Sequence, residues 1–471
     1  MRKISLLAIC ILLTTLFIGL FSIQASTAES TIIYVHPGES IQEAINSANA
    51  GDIIFVYNGT YHENIVINKK GLLLRGENKY STIIDIQNSI GDAIRISAAD
   101  ITFQGFTITN ARYNDELIWN QSGIVISSSN VTIKDNIISN NRWGLVSYVT
   151  ASDLTICNNM FFYDGFFPGC YITWFNGSFY YADNIPMKSL LLNVYNNTVN
   201  GKPLNYYTNI HNTVVNADAG QVILVNCTNI TVKNLSLSNI DFSVMLYYCS
   251  NCIVENNTII NADGELILFF SENNTIQNNT IFNAFHCICL DIGSKNNNVL
   301  NNKIYESLQG ITILTSCTGN RVYGNEFNKN KCSMVITSYM PNLPSHDNVV
   351  YENTFSKNIY GILLIFNDKN PLIYTYNNTI KNNNFLKNII GIFINRSEEN
   401  SFQYNNFKGN FLSAVFFGCS QNFWDRNFWD RFRISPKIIP GYNLVNNNTR
   451  IPWVNFDRHP AKEPYYFPNM C

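Results

Sequence analysis

Between Phe103 and Trp429 one short pattern recurs thirteen times. It reads as an apolar residue, two positions, an anchor, one position, and a second apolar residue. The anchor is Asn at Asn136, Asn159, Asn197, Asn257, Asn279, Asn302, Asn325, Asn353, Asn383, Asn405 and Asn427, with Phe106 and Leu235 in the other two units. The basic spacing is 22–23 residues, and five intervals are longer. A fixed period of this length means that each unit buries its apolar side chains against its neighbours, because no unit is large enough to form a core alone.

The residue types decide between the architectures that share this period. Three positions before the anchor stand residues such as Val232, Val254, Ile276 and Val299; two positions after it stand Leu237, Ile259, Ile281 and Ile304. Short β-branched runs broken by polar turns are strands, not helix pairs. Twenty-two residues are too few for a propeller blade, and the leucine pattern of a leucine-rich repeat is absent. The expected fold is all-β: a single-stranded parallel β-helix (solenoid) of about 13–15 coils.

In such a coil, equivalent residues stack ~4.8 Å apart, so like side chains form columns. This accounts for 73 asparagines, about 15% of the chain. An amide at a tight turn is expected both to tolerate left-handed backbone and to bond its equivalent above and below. Eight positions before the anchor runs a column of small residues, including Cys227, Cys249, Ser271, Ser294, Cys317 and Cys419. Cysteine there reads as a small buried filler. Cys227 and Cys249 would also lie within disulfide reach on adjacent coils.

The flanking regions divide the chain further. Residues 1–28 have the form of a secretory signal: Arg2 and Lys3, an apolar run from Ile4 to Phe21, and small residues at Ser26-Thr27-Ala28. The apolar run also approaches the length of an uncleaved membrane anchor. Export would place the protein in a secreted, cell-surface or periplasm-like envelope location, and fourteen Asn-x-Ser/Thr sequons fit a glycoprotein. Residues 29–100 should form an N-terminal cap and the first coils, with a capping helix beginning at Ser40-Ile41-Gln42-Glu43. Residues 101–432 form the repeat domain, with insertions at 161–189 and 201–222. Six prolines between Pro436 and Pro468 suggest that residues 433–471 are an irregular, extended C-terminal cap or tail.

The run Ser40 to Ile67 and the Asn-bearing coils resemble the right-handed parallel β-helix, or pectin-lyase-like, superfamily. More narrowly, NGKPLNYY (Asn200–Tyr207), DAGQVILVNCTNITVKNL (Asp218–Leu235) and NFWDRNFWDRF (Asn422–Phe432) resemble NosD-type periplasmic proteins and their archaeal cell-surface relatives. The resemblance implies a copper-handling role in envelope metalloenzyme maturation as one possibility. The family's Asn-Tyr-Trp-Ser-Asp-Tyr ending departs here at four positions, as Asn427-Phe428-Trp429-Asp430-Arg431-Phe432.

The formal net charge of -2 argues against nucleic-acid partners. Asp241 and Asp263 lie six positions after consecutive anchors, and His286 is one position off that row in the next coil. Stacked carboxylates repel unless they share a proton or a cation such as calcium. They are the candidate catalytic group of a polysaccharide lyase, hydrolase or epimerase; solvated surface acids are the plainer reading. Residues 161–181 carry 11 aromatics. Of these, Tyr171, Trp174, Phe175, Tyr180 and Tyr181 are candidates for sugar binding. Alternatively the segment is a lid packed on outward positions such as Leu246 and Leu268. The first expectation is a non-catalytic scaffold for a glycan or an envelope protein, with no metal site assigned, calcium conceivable and copper less favoured.

Overall fold

A computed structural model describes residues 30–467 apart from 88, 113–120, 176–177, 182–183, 217, 263, 265, 341–342, 366–374, 420, 431–435 and 446–448. Side chains at 172–175, 178–181, 444–445 and 449 are also outside the description. The signal segment and Asp263 therefore lie outside the described residues.

The chain winds into a parallel β-helix. One coil is represented by strands Ile253–Glu255, Thr258–Ile260 and Leu266–Phe269, after which Thr275–Gln277 begins the next. Successive coils pair in parallel and in register. Val232, Val254, Ile276, Val299, Val322, Val350, Ile380, Phe402 and Trp424 form one continuous row of partners. Leu237, Ile259, Ile281, Ile304, Phe327, Phe355, Phe385, Phe407 and Trp429 form another. Both rows are buried. In the second, the rings from Phe327 to Trp429 stack at 4.8, 4.9, 4.9 and 4.4 Å.

The asparagine column is a hydrogen-bond ladder. Asn279 Oδ1 accepts from the backbone N–H of Asn257 at 3.0 Å and from its Nδ2 at 2.9 Å. Asn279 Nδ2 donates to Val254 O at 2.9 Å and to Asn302 Oδ1 at 3.0 Å. Every donor and acceptor of the buried amide is thus used, which is what makes its burial tolerable. Two further ladders run beside it. Asn274, Asn297, Asn320, Asn348, Asn378, Asn400 and Asn422 form one, five positions before the anchors. Asn330, Asn358, Asn388 and Asn410 form the other, five positions after.

The ladder residues do not themselves adopt left-handed backbone, contrary to the expectation. That conformation belongs to the residue immediately before each: Asn256 (φ 55°), Asn278 (55°) and Asn301 (53°) precede Asn257, Asn279 and Asn302. The two demands are incompatible in one residue, since the left-handed position turns its side chain to solvent. Asparagine serves both, as a permissive exposed turn residue and as a buried ladder rung.

Both ends are capped. Helix Ile41–Ser47 buries Ile41, Ala44 and Ile45 over the first coil, and Ser40 accepts from Glu43 N. The reciprocal carboxylate is not Glu43 but Glu63, which accepts from Ile41 N at 2.7 Å and Gln42 N at 3.2 Å. At the other end, the proline-rich region is more regular than expected. Lys437–Val445 and Thr449–Asp457 form an antiparallel hairpin that pairs with the last coil through Phe416↔Gly441 and Trp424↔Asp457. The buried Asp457 terminates the main ladder: its Oδ2 accepts from Asn427 N (2.9 Å), Asn427 Nδ2 (3.0 Å) and Trp429 Nε1 (3.0 Å).

The long interval between Asn197 and Leu235 also differs from a lateral insertion. Strand Lys202–Thr208 pairs in parallel with Gln221–Val225, and Val214–Val215 with Thr231–Val232. The interval holds an abbreviated extra coil that continues two of the three sheets.

Asn302→Ala should strand two donors of Asn279 and two acceptors and cost about 2–4 kcal/mol, whereas Asn301→Gly should change stability by less than about 1 kcal/mol. Urea titrations of the two variants check this contrast. Asp457→Ala should release the hairpin to limited proteolysis, while Asp457→Asn, which keeps an accepting oxygen, should protect it.

Candidate functional site

The insertion after Asn159 docks on the outer face of the coils that follow it. Strand Phe166–Cys170 first continues a sheet by pairing with Trp143–Tyr148. The chain then crosses several coils, held by three phenols. Tyr247 donates to Pro168 O and Tyr248 to Ile185 O, both at 2.7 Å, and Tyr171 donates to the carboxylate of Asp291. Phe167 lies 4.4 Å from Phe242, and Tyr171 5.6 Å from Phe269, between ring centroids. Burial pushes the Tyr247 phenol well above its ordinary range. This is a satellite core, but Leu246 and Leu268 are not its outward floor. Tyr247 and Phe269 meet the insertion, so strand alternation turns Leu246 and Leu268 inward, where both are fully buried.

Tyr171 is itself 5% exposed and committed to this packing. Trp174, Phe175, Tyr180 and Tyr181 lie on the antiparallel strands Ile172–Phe175 and Ser178–Tyr181; their side chains are outside the described residues.

Asp241 is 2% exposed. Its Oδ2 accepts from Gly144 N at 2.7 Å and Gly165 N at 3.1 Å, tying this coil to one far earlier in the chain. Such closeness requires glycine: a Cβ on Gly144 would fall 2.6 Å from Gly165 O. Nearby in sequence, Asp164 takes the place of a ladder amide, accepting from Asn141 N (3.0 Å) and Nδ2 (2.7 Å). It stands five positions after Asn159, one short of the offset at which Asp241 and Asp263 align. His286 is half-buried at the start of strand His286–Asp291, with its ring 4.6 Å from that of Phe285.

Cys227, Cys249 and Cys252 form a buried thiol group without a disulfide. A hydrogen bond from Cys249 draws the Cys227 thiol down to about 7, and the bond to Cys249 likewise lowers Cys252. Burial pushes Cys249 up. These are soft donors of the type copper(I) takes. Their sulfurs instead bond one another and backbone carbonyls such as Leu224 O, Val225 O and Ser250 O. Among the described residues no three His, Cys, Asp or Glu side chains group so as to hold a metal ion.

The C-terminal end is of another character. The hairpin exposes Ile438, Tyr442, Ile451, Trp453, Val454 and Phe456, each between 39% and 54%. Beside it, Ile359, Ile389 and Phe411 occupy equivalent positions on consecutive coils and are also exposed. A diagonal of rings, Tyr360, Phe393, Phe417 and Tyr442, crosses the same sheet at separations of 6.2, 5.8 and 5.3 Å, with Arg450 above Phe417. Sequence patterning offered a weak signal for this surface: aliphatic residues at turn positions where other coils carry Lys331.

Stacked parallel coils, ladders and capped ends define a parallel β-helix protein. Residues 176–343 match the family model described as periplasmic copper-binding protein (NosD). No curated protein matches the sequence. Among solved structures, the chain is similar to a mannuronan C-5 epimerase A-module of Azotobacter vinelandii: 13% identity, TM-score 0.29, covering 81% of this chain and 92% of that one. It is similar also to a family 28 exopolygalacturonase of Yersinia enterocolitica (13%, 0.34, 84% and 78%) and a polygalacturonase of Erwinia carotovora (12%, 0.33, 80% and 92%). Among the described residues no helix is long and apolar enough to cross a membrane.

Tyr171→Phe should remove a donor from the buried Asp291 and loosen the insertion. Hydrogen exchange is expected to quicken at Phe166–Cys170 by about tenfold or more, the equivalent of 1–2 kcal/mol, while strands Arg321–Tyr323 and Val349–Tyr351 keep their protection.

Proposed function

We propose that this is an exported, non-catalytic binding scaffold whose C-terminal end docks an envelope protein. The observation that carries the reading is the solvent-exposed apolar hairpin stacked on the last coil, together with the exposed Ile359, Ile389 and Phe411. A contiguous surface this rich in aliphatic side chains is costly to leave in water and is characteristic of a protein contact. The placement of Asp241 supports the non-catalytic half. Its Oδ2 already serves two backbone amides, which suits a structural bracket better than a base that must reach substrate or a ligand for calcium. Copper handling draws its support from the family description alone, since the three thiols do not form a metal-holding group.

A glycan partner is the second reading, favoured by the diagonal of Tyr360, Phe393, Phe417 and Tyr442 with Arg450 beside it. Aromatic rings with a flanking cation suit sugars, but the aliphatic surroundings do not call for them.

Crosslinking of the full chain in its own envelope, followed by mass spectrometry, should place the partner's crosslinks on residues 437–462. Trp453→Ser combined with Phe456→Ser should abolish them without altering the thermal midpoint of the coils. A glycan array is expected to be silent. Binding on the array that Phe417→Ala and Tyr442→Ala remove would establish the glycan reading instead, and crosslinks unaffected by the double serine variant would overturn the first.

A further inference from the structure

The repeat grammar generates sequons. A left-handed exposed Asn, a buried ladder residue and a strand-opening Ser or Thr follow one another, giving Asn234-Leu235-Ser236, Asn256-Asn257-Thr258, Asn273-Asn274-Thr275 and Asn278-Asn279-Thr280. Their origin in the fold says nothing of their use. The geometry of the side chains separates them. In four other sequons the amide nitrogen is engaged: Asn226 Nδ2 donates to Asn209 and Asn229 Nδ2 to Asn212, both at 2.7 Å, while Asn130 and Asn377 donate to Asp100 and Asp347. Asn196 is left-handed and exposed like Asn234, Asn256, Asn273 and Asn278. Asn234, Asn256, Asn273 and Asn278 are exposed, and among the described residues no protein group accepts from their amide nitrogens. The hydroxyl residues two positions on are exposed or half-exposed as well.

We propose that this edge of the rod is an N-glycosylation site, with Asn234, Asn256, Asn273 and Asn278 as acceptors for a lipid-linked oligosaccharide met during export. The step forms a bond between Asn Nδ2 and the anomeric carbon of the first sugar. The bond from that carbon to the donor's phosphate breaks, the phosphate leaves with the electron pair, and the amide proton passes to the transferase.

The fold also sets the occupancy. Ser236, Thr258 and Thr280 are direct partners on consecutive coils, so Asn234, Asn256 and Asn278 form one column with ~4.8 Å between rungs. A hydrated pyranose is wider than the ~4.8 Å between rungs, so glycans on consecutive rungs collide, whereas Asn234 and Asn278, about 10 Å apart, accept one each. Asn273 lies at a different turn of its coil and is independent of the column. Glycans here would coat the middle of the rod and leave the C-terminal end bare.

The chain offers a direct readout. No Lys or Arg lies between Lys233 and Lys295, so one tryptic peptide carries all four acceptors and its mass counts glycans per molecule. The full chain, secreted from a yeast host with N-glycosylation machinery, is digested and fragmented by electron transfer. The expected result is glycan on this peptide, with Asn256 never occupied together with Asn234 or Asn278. Thr258→Ala should clear Asn256 and raise occupancy at Asn234 and Asn278 about twofold, and Asn256→Gln should do the same. A bare peptide in secreted protein would overturn the assignment. So would molecules bearing glycans on both Asn256 and Asn278, or neighbours that do not respond to Thr258→Ala.

Discussion

The structure depends on in-register parallel stacking of coils, and that stacking depends on buried amides that bond their equivalents on adjacent coils. Each rung of the Asn257–Asn427 ladder accepts from the rung before it and donates to the next, so an amide deprived of its equivalent leaves buried groups unpaired. A rung is worth little alone and much within a column, because the net value of one hydrogen bond is about 1 kcal/mol while an orphaned buried group costs more. The apolar rows add burial on the same period, and the two sets of contacts specify the same register. Slippage by one residue would turn Val254 or Ile259 to solvent and break all three ladders together.

A ladder of this kind must begin and end somewhere, and the chain spends polar groups on both terminations. Glu63 serves the first N–H groups of the capping helix, and Asp457 accepts three N–H donors at the final rung. Within the rod, carboxylates also replace amides where coils are interrupted. Asp164 substitutes for a rung beside the first insertion, and Asp241 spans to Gly144 and Gly165 where regular stacking is disturbed. The buried Asp164, Asp241 and Asp457 are therefore each connected with a break or an end of the repeat.

Functional surface arises where the repeat is decorated or stopped. The first insertion consumes its own aromatic residues in docking, through Phe167, Tyr171 and the phenols of Tyr247 and Tyr248. The terminating hairpin leaves its apolar side chains in solvent. The mid-rod edge between them presents unengaged asparagines. The proposed glycan-bearing edge and the proposed protein-docking end are thus separate consequences of one winding.

The period, the strand class, the inward rows and the main ladder could all be read from residue order, because each depends on like residues recurring at one spacing. The two further ladders were equally periodic, as Asn274 to Asn422 show, and needed only a search at other offsets. Other features were illegible for a physical reason. Which of two adjacent asparagines enters the core depends on backbone handedness at the turn, and which face Leu246 presents depends on a one-residue register. The partners of Asp241 lie 97 and 76 residues away. Sequence by itself determined that this chain would coil and with what pitch of residues. Only the tertiary structure decided which acids, thiols and rings became buried supports and which side chains were left facing water, because contacts made across coils and by inserted segments follow no period.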